Sequence, residues 1–167
     1  MKIARIYLDT SVLGGCFDQE FAPWSNGLMA DFDAGRFVPV VSDLLAAEVA
    51  HAPEPVRALH DKLLALPAQR VRATPEALQL LAAYEAHSVL GPKYRSDMLH
   101  IALATIADVD VLVSWNFKHI VRFDKIRLYN AVNLENGYKS LTIHSPREVT
   151  TYGNDSDTRG RDGASDS

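Results

Sequence analysis

Short apolar runs of strand length alternate with helical segments along most of this chain. The runs that read as strands by length and by branched or aromatic content are residues 3–8, 36–41, 70–73, 109–114 and 141–144. The longer helical segments lie between them at residues 11–17, 23–34, 43–51, 56–66, 74–88 and 97–107. This alternation predicts an α/β fold whose central, mostly parallel sheet of four to five strands is flanked by helices on both faces.

Capping residues and prolines set the predicted boundaries. Pro39 indicates that the second strand lies at an edge, because proline cannot donate a hydrogen bond to a neighbouring strand. Residues 97–107 are apolar nearly all round, which is typical of a buried helix. Residues 117–123 are predicted to be a short helix and residues 133–139 a polar loop. The predicted N-caps are Ser42, Thr74, Ser96 and Ser145, the last in a capping box.

The 167 residues are most simply one domain, predicted at residues 1–150, followed by a polar, disordered tail at residues 151–167. Four aspartates and two arginines give that tail a charge of -2, so half of the net charge of -4 lies there. The remainder is too close to neutral for a dedicated nucleic-acid binder. The single cysteine, Cys16, allows no internal disulfide, and no apolar run approaches a membrane span. We expect a cytoplasmic protein without a membrane segment.

Four polar residues stand out because their surroundings are apolar. Asp9 ends the first strand, Glu48 interrupts an aliphatic helix, Asp97 begins the buried helix, and Asn116 follows the fourth strand. Ligands of open α/β sheets collect outside the carboxyl ends of the strands, so these side chains can converge there. Three clustered carboxylates would repel one another unless a cation compensates, and Mg²⁺ prefers such oxygen ligands.

Each of these residues also has a structural interpretation. Asp9 could cap a helix, Glu48 could face solvent, and Asp97 could serve the positive end of its helix. Asn116 could be a turn residue. His100, one turn after Asp97, is more often a packed core histidine than a ligand.

Basic residues are in excess between residues 93 and 127. They could bind a nucleic-acid backbone, or they could form a solvated surface. The set is Lys93, Arg95, Lys118, Arg122, Lys125 and Arg127.

Four sequence pieces taken together resemble a PIN domain. They are Tyr-Leu-Asp-Thr-Ser at residues 7–11, Ser-Asp-Leu-Leu-Ala-Ala-Glu at residues 42–48, Ser-Asp-Met-Leu-His-Ile-Ala at residues 96–102, and Leu-Val-Ser-Trp-Asn at residues 112–116. The resemblance spans residues 3–149 and is greatest to the VapC-like branch, through Ser-Trp-Asn-Phe-Lys-His-Ile at residues 114–120. It implies a Mg²⁺- or Mn²⁺-dependent ribonuclease, often the toxin of a toxin–antitoxin pair.

The resemblance also implies which residues form the site. Asp9, Glu48 and Asp97 carry over as the acidic, metal-binding set, and Asn116 stands where the family commonly has Asp. Because Asn brings no charge, we expect one tightly held metal and a second that arrives with substrate. The candidates for contact with substrate are Thr10, Ser114, Lys118 and His100.

The sequence therefore favours a PIN-like endoribonuclease that hydrolyses RNA phosphodiesters, with a cognate antitoxin and a homodimeric state implied by the resemblance. An alternative is a catalytically silent PIN-fold module that binds RNA or protein. A receiver-type phospho-acceptor domain has a similar sheet, but it resembles this chain less, because no adjacent acidic pair follows the first strand here. The apolar segment at residues 21–32 would suit a partner interface, and core packing explains it equally well.

Overall fold

The computed structural model describes residues 2–153 and contains a five-stranded, wholly parallel sheet. Its spatial order is β3-β2-β1-β4-β5. This architecture confirms the predicted fold class. The strands are β1 (Arg5–Leu8), β2 (Val38–Ser42), β3 (Gln69–Val71), β4 (Val111–Val113) and β5 (Ile143–His144).

Eight α-helices of the described residues cover the sheet. They are α1 (Thr10–Gly15), α2 (Ala22–Asp33), α3 (Asp43–Val49), α4 (Glu54–Ala65), α5 (Pro75–Ala86), α6 (Arg95–Ile106), α7 (Phe123–Glu135) and α8 (Pro146–Val149). One core lies between the sheet and α1 to α4, and the other lies between the sheet and α5 to α7. The alternation of side chains along β1 sends Ile6 and Leu8 into the first core and Tyr7 into the second.

The prediction that β2 is an edge strand is wrong, because β2 lies between β1 and β3. The N–H of Val38 donates to the carbonyl oxygen of Ala4, next to β1, at 2.9 Å. Because neighbouring residues of a strand direct their backbone N–H and C=O groups to opposite sides, the nitrogen of Pro39 faces β3. There β3 pairs only from Val40 onward, where Val40 lies opposite Gln69. The missing N–H of Pro39 therefore costs the sheet no hydrogen bond.

Two helix starts differ from the predictions. The buried helix α6 begins at Arg95 after a 3₁₀ turn at Pro92–Tyr94, so Ser96 lies inside the helix and is not its N-cap. Ser145 precedes α8 but makes no side-chain capping bond. The carboxylate of Glu148, expected to complete that capping box, instead pairs with the imidazole of His144 at 2.5 Å.

The prediction for residues 117–139 is wrong in two places. Residues 117–120 form a turn rather than a helix, and helix α7 begins at Phe123, where the short helix was predicted to end. The predicted loop at residues 133–139 begins inside α7. By contrast, Ser42 and Thr74 cap their helices as predicted, accepting the N–H groups of Leu45 and Ala77 at 3.1 and 3.3 Å.

The end of the described chain is fastened to the first core. Asp31 of α2 is 1 % exposed and accepts hydrogen bonds from the hydroxyl of Thr150 at 2.8 Å and the N–H of Thr151 at 3.0 Å. Most of the predicted disordered tail, residues 154–167, lies outside the described residues. Within residues 2–153, no helix is long and apolar enough to span a membrane.

Candidate active site

Asp9 lies at the carboxyl end of β1 and is 5 % exposed. The hydroxyl of Ser11 donates to its Oδ1 at 2.5 Å, and the hydroxyl of Ser114 donates to its Oδ2 at 2.6 Å. The same two hydroxyls accept backbone N–H groups from the loop after β4, Ser11 from Trp115 at 2.8 Å and Ser114 from Asn116 at 2.9 Å. Asp9 is thus the centre of a polar junction between the ends of β1 and β4.

Glu48 approaches this junction from the last turn of α3. Its Oε1 lies 2.5 Å from Nε2 of His100, which projects from α6 and is 2 % exposed. The other ring nitrogen, Nδ1, lies 2.6 Å from the hydroxyl of Tyr7. That hydroxyl lies in turn 2.8 Å from the hydroxyl of Ser42. A continuous chain of hydrogen bonds therefore links the N-cap of α3 to the carboxylate near its other end.

Asp97 lies in the first turn of α6 and is partly buried. The side-chain amide of Asn116 donates to its Oδ2 at 3.4 Å. The carbonyl oxygen of Asn116 accepts the backbone N–H groups of Lys118 and His119 at 3.2 and 2.9 Å. Asn116 therefore both stabilises the turn after β4 and contacts Asp97, and its oxygen is already used by the backbone.

The pKa values of the two aspartates are both raised. Burial raises the pKa of Asp9, and the charge of Glu48 raises it further, whereas His100 and the two serine hydroxyls oppose the shift. Burial likewise raises the pKa of Asp97, again with a contribution from Glu48, against the opposing effects of His119, His100 and Asn116. The site therefore favours added positive charge, by a proton or by a cation.

The donor atoms suit a hard cation, because Asp9, Glu48 and Asp97 all offer carboxylate oxygens. Within residues 2–153, however, no three His, Cys, Asp or Glu side chains form a group that could hold a metal ion as they stand. Mg²⁺ typically uses one or two protein carboxylates and completes its shell with water and substrate phosphate. The residues fit that open kind of site and not a closed cage of protein ligands.

The four predicted substrate contacts have different surroundings. Lys118 is exposed and has no ion pair within the part of the chain that the structure describes. Ser114 is buried and already bonded to Asp9. The hydroxyl of Thr10 is shielded and has no hydrogen-bond partner among the described residues. Both ring nitrogens of His100 are used inside the protein, so substrate contact would require those bonds to break.

Sequence reasoning missed three residues of the polar network, namely Tyr7, Ser11 and Ser42. Tyr7 could have been identified from the sequence. It precedes Asp9 by two residues, and side chains two residues apart along a strand lie on the same face of the sheet. Ser42 was predicted only as a helix cap. No local pattern pairs Tyr7 with His100, which is 93 residues away along the chain.

An open, partly aromatic pocket adjoins the carboxylates. It has a volume of about 410 Å³ and shares Ser11 and Asn116 with the site. Phe21 and Trp115 line it and stack with ring centroids 4.2 Å apart. Phe117 lies 6.1 Å from the Trp115 ring and is 50 % exposed. An exposed aromatic surface therefore lies directly beside Asn116.

Half of the predicted basic cluster makes polar contacts within the protein. Arg95 pairs with Glu85 at 3.3 Å, Arg122 pairs with Asp124 at 2.8 Å, and the ammonium of Lys125 donates to the carbonyl of Val89 at 2.9 Å. The basic residues of that cluster without an ion pair in the described part of the chain are Lys93, Lys118, Lys125 and Arg127.

The parallel sheet and the helices around it form a PIN-like α/β fold. Fourteen chains of solved structures match it. One belongs to VapBC2 from Rickettsia felis, solved bound to a DNA fragment from their promoter. It aligns with a TM-score of 0.54 over 84 % of this chain and 98 % of its own, at 12 % sequence identity. The chain matches no known family profile and no curated protein. The likeness therefore establishes the fold.

Proposed function

We propose that this protein is an endoribonuclease that hydrolyses RNA phosphodiesters with Mg²⁺ or Mn²⁺. The observation that carries the proposal is the convergence of Asp9, Glu48 and Asp97 from β1, α3 and α6 on one edge of the sheet. Burial raises the pKa of both aspartates, with a smaller contribution from the charge of Glu48. Carboxylates perturbed in this way beside an open pocket are candidates for a functional site.

Each residue of the site has its own proposed role. Asp9 and Asp97 would hold the cation, with Glu48 binding it directly or through water. Asn116 orients Asp97 through its amide, since its own oxygen accepts two backbone N–H groups. When bound, the cation supplies the polarisation of the phosphoryl group and the activation of an attacking water. One metal held by the protein, with a second arriving with substrate, agrees with this donor set.

RNA would cross the carboxyl edge of the sheet beside the loop after β4. Lys118 offers a positive charge there, and Phe117 offers an exposed ring. Unpaired bases stack on such aromatic side chains, whereas bases inside a duplex are not available for stacking. We therefore propose a single-stranded or loop segment as the substrate.

A catalytically silent module that binds RNA or protein is the second candidate. It is favoured by the lack, among residues 2–153, of a ready-made metal group and by the backbone bonds that occupy the oxygen of Asn116. Against it stands the electrostatic cost of keeping Asp9 and Asp97 near Glu48 without a cation.

We also propose a toxin role with a cognate antitoxin, a homodimeric state and a cytoplasmic location. An open groove of about 420 Å³ between α2 and α4 is lined by the partly buried Met29, Leu59 and Leu66 and by the charged Asp33 and Lys62, and would suit a partner segment. Within the predicted interface segment at residues 21–32, Leu28 and Phe32 pack in the core, so they are not available to a partner.

The substitution Asp9→Asn tests the proposal. It should abolish metal-dependent cleavage of single-stranded RNA, because a charged ligand is lost, while circular dichroism and the melting temperature show a folded protein. The matched control is Asp124→Asn, which removes an exposed carboxylate paired only with Arg122. Cleavage by Asp9→Asn at the wild-type rate would contradict the assignment.

A further inference from the structure

The chain of hydrogen bonds behind Glu48 is almost completely shielded from water. Tyr7 is 0 % exposed, His100 is 2 % exposed and Ser42 is 4 % exposed, whereas about a third of the Glu48 side chain is accessible. Each link is between 2.5 and 2.8 Å long. A buried network that is fully satisfied is rigid, because breaking any link leaves a polar group unpaired.

The available donors and acceptors fix the direction of this chain. Ser42 accepts the backbone N–H of Leu45, which leaves its own hydroxyl proton to donate to Tyr7. Tyr7 then donates to Nδ1 of His100, and Nε2–H donates to the Glu48 carboxylate. In the reverse direction the hydroxyl of Ser42 would have no acceptor among residues 2–153. This direction makes Nε2 of His100 the donor to Glu48.

This chain of hydrogen bonds also holds both ends of α3 in place. Ser42 is the N-cap of this seven-residue helix, and Glu48 lies in its last turn. Tyr7 connects the cap to β1, and His100 connects the carboxylate to α6. Only Oε1 of Glu48 is used, and Oε2 has no hydrogen bond within residues 2–153.

We infer that His100 is a positioning residue, which Tyr7 and Ser42 orient so that it holds Oε1 of Glu48 and leaves Oε2 free for a cation, or for a water bound to that cation, at the sheet edge where Asp9 and Asp97 lie. This inference rests on the proposed function. It gives His100 a role that requires no contact with RNA. Partners of this kind, one step removed from a metal, typically change metal affinity by about 10- to 100-fold when they are removed.

Calorimetric titration of the purified full chain with Mn²⁺ tests the role. His100→Leu removes the donor to Glu48 and should weaken Mn²⁺ binding by about ten-fold or more. His100→Gln keeps an N–H donor on a side chain of similar reach and should restore much of the affinity. Tyr7→Phe removes only the hydroxyl that orients the ring and should cause a smaller loss.

Tyr84→Phe is the matched control. Tyr84 is also 0 % exposed, and its hydroxyl donates to Asn133 in the same core, away from the carboxylates. Its removal should leave the Mn²⁺ affinity at the wild-type value. Equal affinities for wild type, His100→Leu and Tyr84→Phe would overturn the inference, as would a loss in Tyr84→Phe as large as that in Tyr7→Phe.

Nitrogen-15 NMR of the metal-free protein gives an independent readout. In the wild type, Nδ1 of His100 should show the chemical shift of a nitrogen that accepts the Tyr7 hydroxyl, and Tyr7→Phe should change that shift while Tyr84→Phe should not. A ring protonated at Nδ1 in the wild type would overturn the inference and leave the ribonuclease proposal standing. Absence of Mn²⁺ binding by the wild type would instead overturn the proposed function, and the positioning role with it.

Discussion

Two buried aspartates of this protein have opposite surroundings. Asp31 is 1 % exposed and is compensated by Thr150, the backbone of Thr151 and an ion pair with Arg36 at 3.2 Å. Asp9 is 5 % exposed and has two serine hydroxyls but no cationic partner at hydrogen-bonding distance in the described chain. Asp31 therefore holds the end of the described chain in place, whereas Asp9 lacks the cationic partner that Asp31 has.

His60 should make stability depend on pH. Burial lowers its pKa below the ordinary value of 6.5, helped by the charge of Arg70, although Asp61 opposes the shift. The folded state thus binds the proton less readily than the unfolded state. Its contribution to stability is present above pH 6.5 and is lost as the pH falls through the lowered pKa.

The free energy of unfolding, measured with urea between pH 7.5 and pH 5, should therefore fall less steeply in His60→Leu than in the wild type. One proton linked to unfolding corresponds to at most about 1.4 kcal/mol per pH unit. His51→Gln, at an exposed position, should keep the wild-type slope. A slope unchanged in His60→Leu would show that this histidine is not responsible.

Helix α1 places Ser11 beside Asp9 because its far end packs tightly against the loop after β4. A Cβ atom added to Gly15 would lie 2.6 Å from both Oγ of Ser25 and Nε1 of Trp115, which are bonded to each other at 2.8 Å. Neither atom can move away easily, because the ring of Trp115 also stacks on Phe21. By contrast, a Cβ atom on the neighbouring Gly14 would meet nothing within 4 Å.

Gly15→Ala should therefore lower the free energy of unfolding by roughly 1–3 kcal/mol, the usual cost of overpacking. Gly14→Ala should leave it unchanged or raise it by about 0.5–1 kcal/mol, because alanine favours a helix. Denaturant titration of the two variants beside the wild type measures both effects. A Gly15→Ala protein as stable as Gly14→Ala would contradict the packing described for α1.

The helices differed in how well they could be predicted from their sequences. Helix α3 was predictable from its Ser42 cap and aliphatic content, and the buried α6 from its apolar run. Helix α7 was missed because its buried face includes Asn133, which is 0 % exposed and bonded to Tyr84. A polar residue at a buried position obscures the helical spacing of apolar residues. Its burial is explained only by its hydrogen bond to a residue distant in the sequence.

At the scale of the whole molecule, the parallel sheet and the convergence of Asp9, Glu48 and Asp97 follow from the order of strands and helices along the chain. The chain of hydrogen bonds behind Glu48 could not be predicted in this way, because Tyr7, Ser42 and His100 come from three distant segments. Nor did the sequence reveal that the oxygen of Asn116 is bound to backbone N–H groups.

The exposed aromatic surface gives a test of how RNA lies on the molecule. Phe117→Ala should weaken binding of a short single-stranded RNA in EDTA, because base stacking on one aromatic ring contributes about 1–3 kcal/mol. Phe123→Ala is the matched control, since Phe123 is 76 % exposed and its ring lies beside Arg127, whereas Phe117 lies beside Trp115. Fluorescence anisotropy measures both affinities, and equal binding by the two variants would remove Phe117 from the RNA path.

The most direct test of the central claim is cleavage of a mixed pool of single-stranded and structured RNA by the purified protein in EDTA, Mg²⁺ and Mn²⁺, with Asp97→Asn alongside. We predict cleavage by the wild type only when metal is present, and none by Asp97→Asn. Absence of cleavage in every condition, together with absence of Mn²⁺ binding by calorimetry, would contradict the ribonuclease and favour the silent binding module.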